Sequence, residues 1–169
     1  MLKNRDNFLT HYNQFKDKIF NYFLYRTGFD RALAEDLTSE VFMKALKAYD
    51  GFDRNKPFQP WIFTIAHNHL INHYSQAAKA TFPLDEFEDL MPEEDNHEVE
   101  IRYEVEQVMK AMESMSFSDQ EVLKLKFIEQ LDNQEITEIL DKDEGAVRTQ
   151  ISRCLKRLRR ILGDMNKIE

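Results

Sequence analysis

Five side chains near the C-terminus carry the clearest chemistry in this chain. Arg148, Thr149, Ser152, Arg153 and Lys156 are spaced so that they fall along one stripe of an α-helix. Two guanidiniums, an ammonium and two hydroxyls on a protruding helix suit the major groove of DNA. The cations neutralise phosphates, and an Arg fork matches the guanine edge. Other residue types suggest other chemistry and carry less. His69 and His73 are one helical turn apart, but His67 lies on a different face and no carboxylate follows nearby. That falls short of the three or four converging ligands a zinc site needs, and zinc titration by calorimetry would test it. The letters His67-Asn68-His69 echo a nuclease motif that needs a strand-rich context, absent here. Cys154 falls on the apolar side of the cationic helix, as a small filler would. No nucleophile–base pair stands out in a loop, so no catalytic residue, metal or cofactor is expected.

The elements that must position the stripe are helices. The chain has 169 residues with four Gly and four Pro, and no run alternates apolar and polar as a strand does. Apolar residues recur at helical spacing, so the expected class is all-α. No stretch is long and apolar enough to cross a bilayer, and MLKNRDNFLTHYNQ does not read as a signal peptide. With a single Cys, a cytoplasmic protein is expected. The net charge of −8 argues against a nucleic-acid partner until its distribution is read. Residues 81–100 hold nine acids and no Lys or Arg, so the remainder carries a net +1. Residues 142–160 carry seven basic residues against two acids.

The spacing predicts a first helix over about 8–26, with Phe8, Tyr12, Phe15, Ile19, Phe20 and Phe23 inside and Gly28 as its stop. A second runs over about 30–48 on Ala34, Leu37, Val41, Phe42 and Ala45, with Asp36, Glu40, Lys44 and Lys47 outside. The loop YDGFDRNKPFQP leads to a third, from Pro60 to about Ala78. Its inner side is Trp61, Ile62, Ile65, Ala66, His69 and Leu70, and its outer stripe Asn68, Asn72, Ser75 and Lys79. Two Pro and dense acidity mark 80–98 as a linker between domains 1–79 and 99–169. The second domain opens with a helix over 99–115 on Ile101, Val105, Val108, Met112 and Met115. Ser118 with Glu121, and Asp132 with Glu135, read as capping boxes. Asp143 caps a last helix with Val147, Ile151, Cys154, Leu155, Leu158 and Ile161 inside and Gly163 at its end. A short helix, a tight turn and a longer basic helix make a helix-turn-helix.

Two strings then resemble a known family. AEDLTSEVFMKALKAYDGFDRNKPFQPWIFTIAHN resembles the second conserved region of bacterial RNA polymerase sigma factors. SDQEVLKLKFIEQLDNQEITEIL with EGAVRTQISRCLKRL resembles the fourth. With only a short linker between them, the layout resembles the extracytoplasmic-function (ECF) group. The resemblance implies two helical domains that bind core RNA polymerase and promoter DNA as a monomer, with an anti-sigma factor as a further candidate partner. It implies polymerase docking through Asp36, Leu37, Glu40, Phe42 and Lys44. It implies minus-10 contacts through Phe52, Asn55, Lys56, Phe58, Trp61, Asn68, Asn72 and Lys79, the loop framing a pocket for a flipped base. Trp61 also reads as a core residue. Minus-35 contacts fall to Arg148, Thr149, Gln150, Ser152, Arg153, Lys156 and Arg157, although Arg157 with Arg159 and Arg160 also reads as a solvated helix end favoured by the dipole. Three departures stand out. Ser39 replaces a frequent Gln. Asn72 and Ser75 replace a frequent Asp and Arg. The turn Asp141-Lys142-Asp143 replaces Gly, an apolar residue and Ser, so Asp141 must adopt a glycine-like conformation and Lys142 forfeits an apolar contact.

The linker argues separately. Its 19 residues can extend to roughly 60 Å. One turn of duplex is about 34 Å, so such a tether cannot fix the spacing of two DNA sites and a scaffold must. Its acids read either as a soluble spacer or as a mimic of nucleic acid in a basic channel. The rivals are a free-standing dimeric helix-turn-helix regulator and a sigma-like protein that only binds an anti-sigma partner. Size analysis and transcription with core polymerase separate them.

Overall fold

The computed structural model describes residues 2–79 and 107–165, all of whose regular structure is helical. The expected linker 80–98 and the residues 99–106, including Ile101 and Val105, lie outside the described residues. The chain divides into two compact units, Met1–Phe87 with Glu138–Asp141, and Glu88–Thr137 with Lys142–Glu169.

In the first unit, α1 (Leu2–Leu24), α2 (Arg31–Ala48) and α3 (Phe58–Lys79) pack around Ile19, Tyr22, Phe23, Val41, Ile62, Phe63 and Leu70. Burying each such side chain contributes about 1.5–3 kcal/mol. All five residues expected inside α2 are buried. On α1 the buried arc is shifted: Tyr22 is fully enclosed, while Tyr12 is exposed and Phe20 is half-buried. The shift arises because α1 packs on both α2 and α3, which widens its apolar arc beyond one stripe. The same applies to α3, where Phe63 and His67 are also buried and Trp61 and Ile65 are half-buried. α1 ends at Leu24 rather than Arg26. Gly28 turns left-handed at φ 64°, and Phe29 at φ 65° donates its N–H to the Leu24 carbonyl at 3.0 Å. Asp30 then caps α2 by accepting from the Leu33 N–H.

Further along the chain, α4 is described over residues 107–113 and followed by α5 (Phe117–Phe127), α6 (Asn133–Leu140) and α7 (Glu144–Met165). α5 is capped by Ser116, not Ser118: the Ser116 hydroxyl accepts from the Asp119 N–H at 3.2 Å. Five consecutive residues, Glu121 to Leu125, are buried. α5 is therefore the central helix of the unit, and no one-sided pattern could have shown its register. The Asp132–Glu135 box forms in both directions, at 3.0 and 2.8 Å. After α6, Asp141 sits at φ 50° and Lys142 donates its N–H to the Thr137 carbonyl, so the chain makes the glycine-type helix stop with an Asp. Asp143 caps α7 through the Gly145 and Ala146 N–H groups. The helix runs through Gly163 to Met165 instead of ending there.

Candidate nucleic-acid interface

Val147, Ile151 and Cys154 press α7 into its unit, with Leu155, Leu158 and Ile161 half-buried beside them. That rotation turns the opposite face outward, where Arg148, Thr149, Ser152, Arg153 and Lys156 line a shallow open groove. Arg148 reaches back to Glu144 at 2.8 Å, an exposed pair one turn apart. Such a pair contributes only about 0.3–0.5 kcal/mol, so a phosphate can displace it.

Two residues expected in this interface face elsewhere. Gln150 is half-buried and donates to the Ser118 hydroxyl at 3.1 Å and the Asp119 carboxylate at 2.9 Å. Its carbonyl oxygen accepts from Lys142 Nζ at 2.8 Å, and that ammonium also reaches the Ser118 hydroxyl at 3.0 Å. Lys142 does not simply forfeit a turn contact: a polar clamp of Lys142, Gln150, Ser118 and Asp119 replaces the apolar one and sets α7 against α5. Arg157 donates to the Ser114 carbonyl at 3.0 Å, bracing the chain after α4 rather than lying on the groove.

The clamp has an acid dependence. The Gln150 hydrogen bond holds the Asp119 carboxyl below its ordinary value. A depressed folded-state pKa contributes stability that is present above the unfolded pKa and lost as pH falls through the folded one. Gln150→Ala is expected to flatten the acid limb of thermal stability below about pH 5, as pH falls through the ordinary aspartate range and beyond it, followed by circular dichroism. An unchanged pH profile would refute the assignment. Cys154, buried and beside Asp119, has its thiol pushed up to about 11. It is a packing residue with almost no thiolate at neutral pH.

In the first unit the expected base-capturing loop is built differently. Phe52 and Phe58 are 9% and 5% exposed, so neither ring is open to a base. Phe52 meets Trp61 at 4.7 Å, Phe58 meets Trp61 at 5.2 Å, and His11 stacks flat on Phe58 at 4.1 Å. These rings with Tyr49 form an aromatic cluster that roots the loop. Trp61 is half-buried within it, nearer to core than to platform. The loop tip is a turn in which the Asp53 carboxylate accepts from the Asn55 N–H at 3.0 Å and from its amide at 3.1 Å. Asn55 and Lys56 are exposed there. Asn68, Asn72 and Ser75 are exposed along α3, and the Lys79 side chain lies outside the described residues.

On α2, Asp36, Glu40 and Lys44 are exposed, whereas Leu37 and Phe42 are 3% and 5% exposed. Leu37 and Phe42 therefore pack α2 into its unit, and Asp36, Glu40 and Lys44 are the members of the expected set that face outward. The Ser39 hydroxyl donates to the Glu35 carbonyl of its own helix. His69, expected on the inner side of α3, is buried there and also lies between Glu40 and Lys44. Among the described residues no three His, Cys, Asp or Glu side chains are grouped to hold a metal ion, and no helix is long and apolar enough to cross a membrane.

Comparison with known proteins agrees with this layout. The family model for Sigma-70 region 2 matches residues 11–80, and that for Sigma-70, region 4 matches residues 105–158. RNA polymerase sigma factor YlaC of Bacillus subtilis is 30% identical over 163 residues, covering 94% of each chain. ECF RNA polymerase sigma factor BldN of Streptomyces coelicolor is 31% identical over 157 residues, 90% of this chain and 59% of BldN. The present chain therefore spans somewhat over half of BldN and nearly all of YlaC. Among solved structures, sigma factor RpoE in complex with the anti-sigma factor NepR from Bartonella quintana superposes with a TM-score of 0.72 at 18% identity, over 93% of this chain and 97% of that one. CnrH in complex with the cytosolic domain of CnrY gives 0.59 at 21% identity, over 86% and 88%. Those two likenesses concern the fold. With both regions matched in order and a relative aligned along almost its whole length, the chain belongs to the extracytoplasmic-function RNA polymerase sigma factors.

Proposed function

We propose that this sigma factor divides initiation among three surfaces, one for core RNA polymerase and two for promoter DNA. The α2 face of Asp36, Glu40 and Lys44 docks on the polymerase. Asn55 and Lys56 on the loop, with Asn68 and Asn72 on α3, hold the opened minus-10 strand through amide edges and a cation. Phe52, Phe58 and Trp61 anchor that surface from beneath. On α7, Arg148, Thr149, Ser152, Arg153 and Lys156 read the minus-35 duplex. The observation that carries this reading is the α7 groove, whose five lining residues are all cationic or hydroxylic and all point outward. The chain contributes positioning and no bond-making of its own, and it works where the polymerase is, in the cytoplasm. An anti-sigma protein, the partner named for Bartonella RpoE, is a further expected partner.

A dimeric regulator would have no use for a region 2 module over residues 11–80. Run-off transcription with purified core polymerase on genomic fragments tests the proposal. Discrete transcripts that require both proteins are expected. No transcript from any fragment, together with dimers on size analysis, would favour the regulator.

A further inference from the structure

The Glu40–His69–Lys44 cluster is not explained by the fold alone. His69 is a polar residue only 8% exposed, on the inner side of α3. Its Nδ1 lies 2.6 Å from Lys44 Nζ, and its Nε2 lies 2.7 Å from Glu40 Oε2. The second contact is close but bent, short of a full hydrogen bond. Glu40 and Lys44 are one turn apart on α2 and would ordinarily pair with each other along the helix surface. Here an imidazole from another helix stands between them. An ammonium can only donate, so Nδ1 is the acceptor and the ring proton sits on Nε2, facing the carboxylate.

We infer that His69 is a positioning residue for polymerase docking, holding the Glu40 carboxylate and the Lys44 ammonium of α2 in the arrangement that the polymerase meets. This rests on the docking role proposed for Glu40. The Glu40 side chain is 59% exposed, so the carboxylate remains open to a partner while the imidazole lies 2.7 Å from it. A carboxylate oriented in advance gives up less rotamer freedom on binding. Burial, then Lys44, keeps the His69 pKa below the ordinary histidine value, which preserves the Nδ1 lone pair at neutral pH. His73 of the same helix adds to that effect, and from α1 the neighbour is the Phe23 ring edge at 6.4 Å, which offers no competing charge. His69 also adjoins Asn68, so the residue behind the α2 docking face and a residue of the strand-holding face are neighbours on α3.

The test is the affinity of the full chain for core polymerase, measured by fluorescence anisotropy for wild type, His69→Leu, His69→Gln, Glu40→Ala and the Glu40→Ala/His69→Leu double variant. His69→Leu fills the buried site, and its fold is checked by thermal melting. It is expected to weaken core binding about five- to tenfold. His69→Gln, which keeps a donor towards Glu40, recovers most of the loss. The double variant binds no worse than Glu40→Ala. If His69→Leu binds like wild type while Glu40→Ala is weakened, the inference fails and the docking reading stands. If Glu40→Ala itself is neutral, the docking reading fails. Additive losses in the double variant would also overturn the inference, because His69 would then not act through Glu40. Should His69→Leu unfold, His69→Asn, polar but too short to reach Glu40, carries the same comparison.

Discussion

Replacing Arg153 by Ala lowers the affinity of the polymerase holoenzyme for its promoter by about 5- to 150-fold, the equivalent of one lost Arg–guanine fork. Arg153 is exposed on the α7 groove. The pattern of the loss identifies what it touches. A deficit confined to one minus-35 base pair marks base readout. A deficit uniform across sequences, with the salt slope reduced by about one, marks a phosphate. Arg157→Ala is the paired control. Its guanidinium is bound to the Ser114 carbonyl, so it is expected to alter stability slightly and base preference not at all. Quantitative shift assays over a set of minus-35 variants make both measurements. Equal, base-specific losses for the two arginines would show that α7 meets DNA along a different face.

Phe58→Ala is expected to destabilise the first unit by about 3–5 kcal/mol, the usual cost of deleting a buried Phe. The ring is packed against His11, Phe15, Phe52 and Trp61, so its loss leaves a cavity under the loop that Asn55 and Lys56 decorate. Asn55→Ala should leave the melt nearly unchanged and slow promoter opening, followed by permanganate reactivity of unpaired thymines. If Phe58→Ala melts like wild type yet fails to open DNA, the ring contacts a base directly and the aromatic cluster is misread.

What the sequence made legible follows from the range of the interactions involved. The α7 stripe, the Asp132–Glu135 box and the cap at Asp143 depend on residues within one helical turn, and their spacing shows directly. The α5 cap moved from Ser118 to Ser116 because a helix buried on every side has no apolar phase to fix its start. A helical count sees only its own helix, so it cannot show that Gln150 and Arg157 bond residues outside α7. Their partners, Ser118 and Ser114, lie 32 and 43 residues away. Phe52 and Phe58 invited a stacking role by type, and their burial was decided by His11, Tyr49 and Trp61. The polar clamp has one local signature in the sequence: Lys142, in a turn position that favours an apolar side chain, needs a polar partner, and Gln150, eight residues on, reaches it.

On the proposed division of labour, each surface is competent only when the polymerase supplies the spacing between them. The measurement closest to that claim is a salt-controlled mobility shift on a natural promoter, with the free chain and with the reconstituted holoenzyme side by side. Tight, sequence-specific binding is expected from the holoenzyme alone, with the free chain giving weak binding that does not distinguish promoter from scrambled DNA. Tight, specific binding by the free chain at physiological salt would contradict it.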